Sequence, residues 1–256
     1  MAKIGIQLYT VRDKLAKDYL GTIRKMKALG YEGVEFPAGA IEAATAEEIH
    51  TVLKETELEL AGFTFEHRDF ETRIEEIIAY TLACGAKTIV YPWLPEEKRQ
   101  SADDYVRFAQ QLGLWGKQLR ENGISLLYHI HGYEFEAFDG KTGFNLFFEA
   151  LDLDAVKLEI DVYWVESGGV DCITFMERYG KYSPSIHFKD YLKRDGKLVD
   201  TEIGDGAIDM VKVAEIGLRE EADWFIVEQE EFDKPTLESA GISANNLFHI
   251  REQAMK

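Results

Sequence analysis

Eight short runs rich in β-branched and aromatic residues alternate with stretches of helical apolar spacing along the whole chain. Alternation of this kind predicts parallel strands joined by right-handed helical crossovers. The count of eight, and the lack of a GxGxxG motif after the first run, favour a closed (β/α)8 barrel over an open doubly wound sheet. The predicted strands are residues 4–9, 33–36, 58–65, 87–92, 124–131, 156–161, 184–189 and 224–229.

The length and charge of the chain limit the number of domains and the kinds of partner that we expect. Its 256 residues match the roughly 250 of one barrel, so we expect a single domain over 1–256. A net charge of −18 argues against nucleic acid as a partner, and no run approaches the ~18 apolar residues of a membrane span. The N-terminus reads as a strand without an export leader, and Cys84 and Cys172 form no CxxC pair. We therefore expect a cytoplasmic location.

Charged and imidazole side chains stand at the C-terminal ends of the last four predicted strands. Asp161, His187 and Glu228 end three of them, and His129 and His131 share one face of the fifth strand. A lone buried Asp or His is more often a hydrogen-bonded structural group than a ligand. Four successive strand ends instead predict a mixed oxygen and nitrogen site for Mn²⁺, Co²⁺, Zn²⁺, Fe²⁺ or Mg²⁺ at the barrel mouth.

Other strand-end residues are candidates for contacting a substrate. Gln7 and Tyr9 lie on one face at the end of the first strand, and Trp93 follows the fourth. Lys189, two residues after His187, could donate to a substrate oxygen, or could instead pair with Asp190. The polar, glycine-containing stretch 194–209 is predicted to be an irregular loop at the mouth, with the position of a lid.

The motifs LLYHIHGYEFE, LEIDVYWVESGG, IHFKD, EIGDGAID and IVEQE resemble the xylose isomerase-like TIM barrel superfamily of sugar phosphate isomerases and epimerases. The resemblance extends from GIQLYTVRD to VEQEEF and implies one divalent metal held by Glu, Asp, His and Glu. Asp161, His187 and Glu228 match the last three ligands, while His129 stands where the first glutamate is usual. His131 resembles a proton-shuttling or substrate-contacting histidine. Glu134 or Glu136 resembles the acid that contacts substrate, and either Glu134 or His129 would complete the metal shell.

The resemblance implies isomerisation or epimerisation of a keto sugar or related polyol through a metal-stabilised enediolate, with Glu228 or His131 as the base. A lyase that eliminates a substituent from a 3-keto sugar or keto-inositol would use the same site. A non-catalytic sugar-binding barrel is a third reading, and six histidines with a charge of −18 do not suit a multi-metal endonuclease. No glycine-rich phosphate cradle follows strand seven or eight, so the substrate need not be phosphorylated. Barrels of this size commonly pair, which makes a homo-oligomer compatible with the sequence.

Overall fold

The computed structural model describes residues 1–138 and 140–256, and eight parallel strands within them close into a barrel. Each strand pairs with its neighbours in chain order, and the first pairs with the last. The predicted (β/α)8 barrel is therefore confirmed. The strands are β1 (Lys3–Gln7), β2 (Gly33–Phe36), β3 (Glu59–Thr64), β4 (Thr88–Tyr91), β5 (Ser125–His129), β6 (Val156–Asp161), β7 (Ser185–Phe188) and β8 (Trp224–Val227).

Helices cover the outside of the barrel. The α-helices are Arg12–Leu15, Tyr19–Ala28, Ala40–Ala43, Ala46–Thr56, His67–Thr72, Ile74–Ala83, Ala102–Glu121, Gly143–Ala150, Val162–Ser167, Cys172–Tyr179, Met210–Arg219 and Thr236–Ala254, with 3₁₀ turns at Leu8–Val11, Glu96–Lys98, Gly132–Phe135 and Gly180–Tyr182. Their ends follow local sequence signals. Ser101 accepts a hydrogen bond from the Asp104 backbone N–H at the start of the longest helix, and Gly123 follows its end at φ +74°.

The alternation of side chains along each strand decides which residues reach the barrel interior. On β6, Leu158 and Ile160 pack outward into the fully buried apolar layer beneath the helices. Glu159 and Asp161 consequently point inward, because successive side chains of a strand face opposite sides. Burial of each such Leu or Ile contributes about 1.5–3 kcal/mol, so the apolar face fixes the register that presents the acids to the interior.

The stretch 194–209, predicted as an irregular loop, is irregular only over residues 202–209, and its first part belongs to a hairpin, which corrects the prediction there. Strands Asp190–Arg194 and Lys197–Thr201 form an antiparallel hairpin that turns at Asp195 and Gly196, both with positive φ. The irregular segment after the hairpin is held by hydrogen bonds to the Asp190 side chain. The Asp190 carboxylate accepts four backbone N–H bonds at 2.9–3.2 Å, from Tyr191, Gly204, Gly206 and Ile208.

A second, short hairpin pairs Ala137–Phe138 with Lys141–Thr142. None of the helices within residues 1–138 and 140–256 combines the length and the apolar character that crossing a membrane requires.

Candidate metal centre and active site

The structure brings together four side chains that the sequence predicts as metal ligands. His129, Asp161, His187 and Glu228 each place a ligand atom within 4.8 Å of the others, and all four are buried. Strand register explains their convergence, because Asp161 lies opposite His187 in the pairing of β6 with β7. The four side chains lie at the C-terminal mouth, where barrels of this kind carry their reactive groups.

Two further glutamates enter this centre, Glu35 from β2 and Glu159 from β6. Together with His187 they form a second group of mutually close ligand atoms. The Glu159 carboxylate lies 3.0 Å from His129 Nδ1 and 3.2 Å from His187 Nε2. Glu159 is not among the ligands that the sequence predicts. Its position two residues before Asp161, on the same strand face, was the available signal.

His187 is at the middle of this network. Its Nδ1 lies 2.9 Å from Glu228 Oε2, and its Nε2 lies 3.1 Å from Glu35 Oε1. Burial opposes charge on this imidazole, but the Glu159 and Glu35 carboxylates raise the pKa of His187 well above its ordinary value. Gln7 extends the network by donating to Glu35 Oε1 at 2.7 Å. The imidazole therefore holds three acids in place.

Burial and nearby charges shift the pKa values of the three neighbouring carboxyl groups in different directions. Burial and the Glu228 carboxylate raise the pKa of Asp161 to about 8, although Lys189 opposes the shift. Burial and Glu159 raise the pKa of Glu35 to about 7. Burial also favours the neutral form of Glu228, but its hydrogen bond to His187 and the charges of His187 and Lys189 lower its pKa well below the usual range. Glu228 is therefore the carboxylate of the group that keeps its charge most readily.

The donor set fits a divalent cation. Four buried carboxylates, from Glu35, Glu159, Asp161 and Glu228, surround the two imidazoles, which is expensive without compensating positive charge. Asp161 Oδ2 and Glu159 Oε1 are buried without a hydrogen-bond partner. Because burial lowers the pKa of His129 to about 3, its imidazole is neutral at pH 7, the form that binds metals.

His131 lies beside this group. Its ring centroid is 4.8 Å from that of His129, and its ring stacks on Tyr133 at 5.4 Å. Its Nδ1 has no hydrogen-bond partner. Burial, together with the proximity of His129, lowers the pKa of His131 well below its usual value, so the ring is a neutral proton acceptor.

The structure places Glu134 outside the group of candidate ligands. It is fully buried, accepts a hydrogen bond from Tyr128 OH at 2.5 Å and accepts another from the His131 backbone N–H at 2.9 Å. Burial raises the pKa of Glu134 to about 8. Both of its oxygens accept hydrogen bonds in the turn after β5, and His129 is the fourth member of the candidate ligand group.

Lys189 does not pair with Asp190, whose carboxylate is used by the hairpin. Its side chain is 1% exposed, forms an ion pair with Glu230, and lies 3.8 Å from Asp200. The ammonium also lies 4.7 Å from the Trp164 ring. Burial opposes its charge, but Glu228 and Asp161 are among the carboxylates that raise the pKa of Lys189. The buried Lys189 ammonium therefore supplies a positive charge that acts on Glu228 and Asp161.

A cavity of about 410 Å³ opens above these groups. The substrate-contacting candidates Gln7, Tyr9 and Trp93 all line it, while Glu134 and Lys189 do not. The lining residues are Gln7, Tyr9, Glu35, Pro37, Ala38, Thr64, Glu66, Val90, Pro92, Trp93, His129, His131, Glu159, His187, Glu228 and Glu230. Its volume falls within the range of small-molecule sites.

The closed (β/α)8 barrel and the buried acids and imidazoles at its mouth place this protein among the barrels that carry a candidate metal centre. The chain belongs to the xylose isomerase-like TIM barrel family, whose family model matches residues 23–249. No curated protein sequence matches it.

Solved structures share the fold at low sequence identity. A sugar phosphate isomerase/epimerase from Parabacteroides distasonis has a TM-score of 0.83 at 19% identity, covering 100% of this chain and 96% of that one. An L-ribulose 3-epimerase gives 0.74 at 15%, covering 100% and 96%. A protein named as a probable 3-DHS dehydratase from Bacillus anthracis gives 0.74 at 11%, covering 96% and 98%. The neighbours thus include isomerases, epimerases and a dehydratase.

Proposed function

We propose that this protein is a divalent-metal-dependent isomerase or epimerase of a keto sugar or related polyol. One observation carries the proposal: His129, Asp161, His187 and Glu228 converge beneath a cavity of sugar size. A divalent ion held by these four residues would polarise a substrate carbonyl and stabilise the enediolate formed on proton loss.

The protein's own residues supply proton transfer. Glu228 combines a lowered pKa with a position in the cavity lining, so it is an ionised carboxylate that can accept a carbon-bound proton. His131 lines the same cavity, is neutral and has an unpartnered ring nitrogen, which suits it to carry a second proton. Lys189 is a positioning residue, because its buried charge favours ionised Glu228 and Asp161 without reaching the cavity.

The destination of the abstracted proton would decide the reaction. Return to the opposite face of the same carbon gives an epimer, and return to the neighbouring carbon gives an isomer. Gln7 would hold Glu35 in place beside the substrate, and Tyr9 and Trp93 would contact its carbon-bound hydrogens. Two free, buried cysteines are consistent with the reducing cytoplasm in which we place the reaction.

A lyase is the second candidate, because Glu228 and His131 both line the cavity. Glu228 could accept the carbon-bound proton, and His131 could pass this proton on to a departing hydroxyl or alkoxide at the neighbouring carbon. Carbon–oxygen cleavage then replaces proton return, and the product gains a double bond. The same active site would serve both reactions.

The test is hydrogen exchange in D₂O with a panel of ketoses, keto-inositols and 3-keto-glycosides. Reactions with Mg²⁺ or Zn²⁺ are followed by NMR, and reactions with Mn²⁺ by mass spectrometry. Deuterium incorporation with formation of an epimer or isomer supports the proposal, whereas loss of a substituent identifies the lyase. Asp161→Asn is the matched negative control, because the amide oxygen can still accept the Trp164 backbone N–H that Asp161 binds at 3.0 Å. Absence of exchange across the panel and all three metals would count against both reactions.

A further inference from the structure

The charged side chains that line the cavity are mainly acidic. Five glutamates line it, from four different parts of the chain: Glu35, Glu66, Glu159, and the neighbouring pair Glu228 and Glu230. Among the described residues, the lining includes neither lysine nor arginine. A site that binds a phosphate or carboxylate group normally offers cationic side chains or a helix N-terminus to it.

Two cationic side chains close to the lining residues already have partners. Arg12 donates to the backbone carbonyls of the lining residues Tyr9, at 3.1 Å, and Glu230, at 2.8 Å. Lys189 is buried and paired with Glu230 and Asp200. Neither side chain is available to an anionic group entering the cavity.

The cavity lining also includes apolar and aromatic residues. Val90 and Pro92 contribute to it from the end of β4, and Pro37 from the end of β2. Tyr9 and Trp93 also line the cavity and remain 42% and 41% exposed, which leaves aromatic surface open to a ligand. Such surfaces pack against the carbon-bound hydrogens of a carbohydrate.

We propose that the substrate is an uncharged carbohydrate, neither phosphorylated nor carboxylated. This inference rests on the proposed function and names its substrate class. A bound divalent ion would offset two negative charges and engage Glu228, and four further glutamates would still line the cavity. A phosphate ester would meet repulsion from these carboxylates, while a neutral sugar could donate its hydroxyl hydrogens to them.

Matched ligand pairs test the inference by binding rather than by turnover. The probes are D-fructose with D-fructose 6-phosphate and myo-inositol with myo-inositol 1-phosphate, titrated into Mg²⁺-loaded protein by ligand-observed NMR and calorimetry. We expect the neutral member of a pair to bind at least about tenfold more tightly than its phosphate ester. Tighter binding of either ester, or no binding of either neutral probe at high millimolar concentration, would overturn the proposal.

A pair of charge variants gives the matched control. Glu66→Gln removes one lining charge and should reduce discrimination against the esters by roughly three- to tenfold. Glu71→Gln makes the same change within the helix that Glu66 precedes, at a side chain that is 47% exposed and outside the cavity lining. It should leave discrimination unchanged. Equal effects of the two variants would contradict the role of the lining charge.

Binding and turnover separate this inference from the proposed function. Preference for the neutral probes by a protein that never exchanges carbon-bound protons would support the substrate class and contradict the isomerase. Conversely, efficient epimerisation of a phosphate ester would support the isomerase and overturn the substrate class.

Discussion

Replacing Glu159 by Gln tests whether this unpredicted residue supports the metal centre. One Glu159 oxygen contacts both imidazoles, His129 Nδ1 at 3.0 Å and His187 Nε2 at 3.2 Å. Glutamine preserves the size of the side chain and an acceptor oxygen but removes the charge. We expect the variant to fold and to bind a divalent metal more weakly, because the orientation and basicity of both histidines depend on this carboxylate.

The expected magnitude follows from the two contacts. A hydrogen bond to a charged partner is about 1 kcal/mol stronger than a neutral one, so two bonds amount to about 2 kcal/mol, or roughly thirtyfold in affinity. This value lies within the 10- to 100-fold losses that follow removal of groups hydrogen-bonded to metal-binding histidines, a range of about 1.4–2.7 kcal/mol.

Calorimetric titration of the metal-free protein with Zn²⁺ or Mn²⁺ measures the effect. Glu55→Gln is the matched control, since Glu55 is exposed, pairs with Arg24 and lies far along the outer helix Ala46–Thr56. Its metal affinity should equal that of the wild type. An affinity of Glu159→Gln within about twofold of wild type would refute the reasoning, whereas a loss beyond roughly a thousandfold would instead make Glu159 a direct ligand.

Three further predictions concern residues around this centre. His131→Gln should slow carbon-bound proton exchange by roughly 10²- to 10⁴-fold while leaving metal affinity unchanged, as measured by D₂O exchange and calorimetry. Asp190→Ala should destabilise the fold by about 3 kcal/mol or more in urea unfolding, because four backbone N–H groups lose their acceptor; Asp190→Asn should cost less. Glu134 holds its proton to about pH 8 when folded, against 4.5 for an unperturbed carboxyl, so wild-type stability should fall as pH rises between these values. Glu134→Gln should remove that component, at most about 1.4 kcal/mol per pH unit in urea unfolding.

Each of these predictions has an outcome that contradicts it. Loss of metal binding in His131→Gln would make the histidine part of the metal centre rather than a proton carrier. Wild-type stability of Asp190→Ala would mean that water replaces the carboxylate. Parallel pH dependence of wild type and Glu134→Gln would show that other groups cause the slope.

The amino-acid sequence determined the architecture and the candidate metal ligands. Eight β-rich runs separated by helical apolar spacing specify the barrel, because each strand must bury one face against helices and the other inside the barrel. The same period of two places Asp161, His187 and Glu228 at one mouth. These features are local, so they can be read from short stretches of chain.

Tertiary structure alone decided how charged residues from different strands pair. Lys189 is followed directly by an acid in the sequence, yet it pairs with Glu230 and Asp200, because Asp190 is used by backbone groups of the hairpin. Glu134 resembles a substrate contact, yet it is buried as the acceptor of Tyr128 OH. Lys189 and Glu230 lie 41 residues apart, and His187 and Glu35 lie 152 apart, so the order of charges along the chain allows many pairings. Closure of the barrel selects one pairing, because it fixes the distances between the charged side chains and also how far each is removed from water.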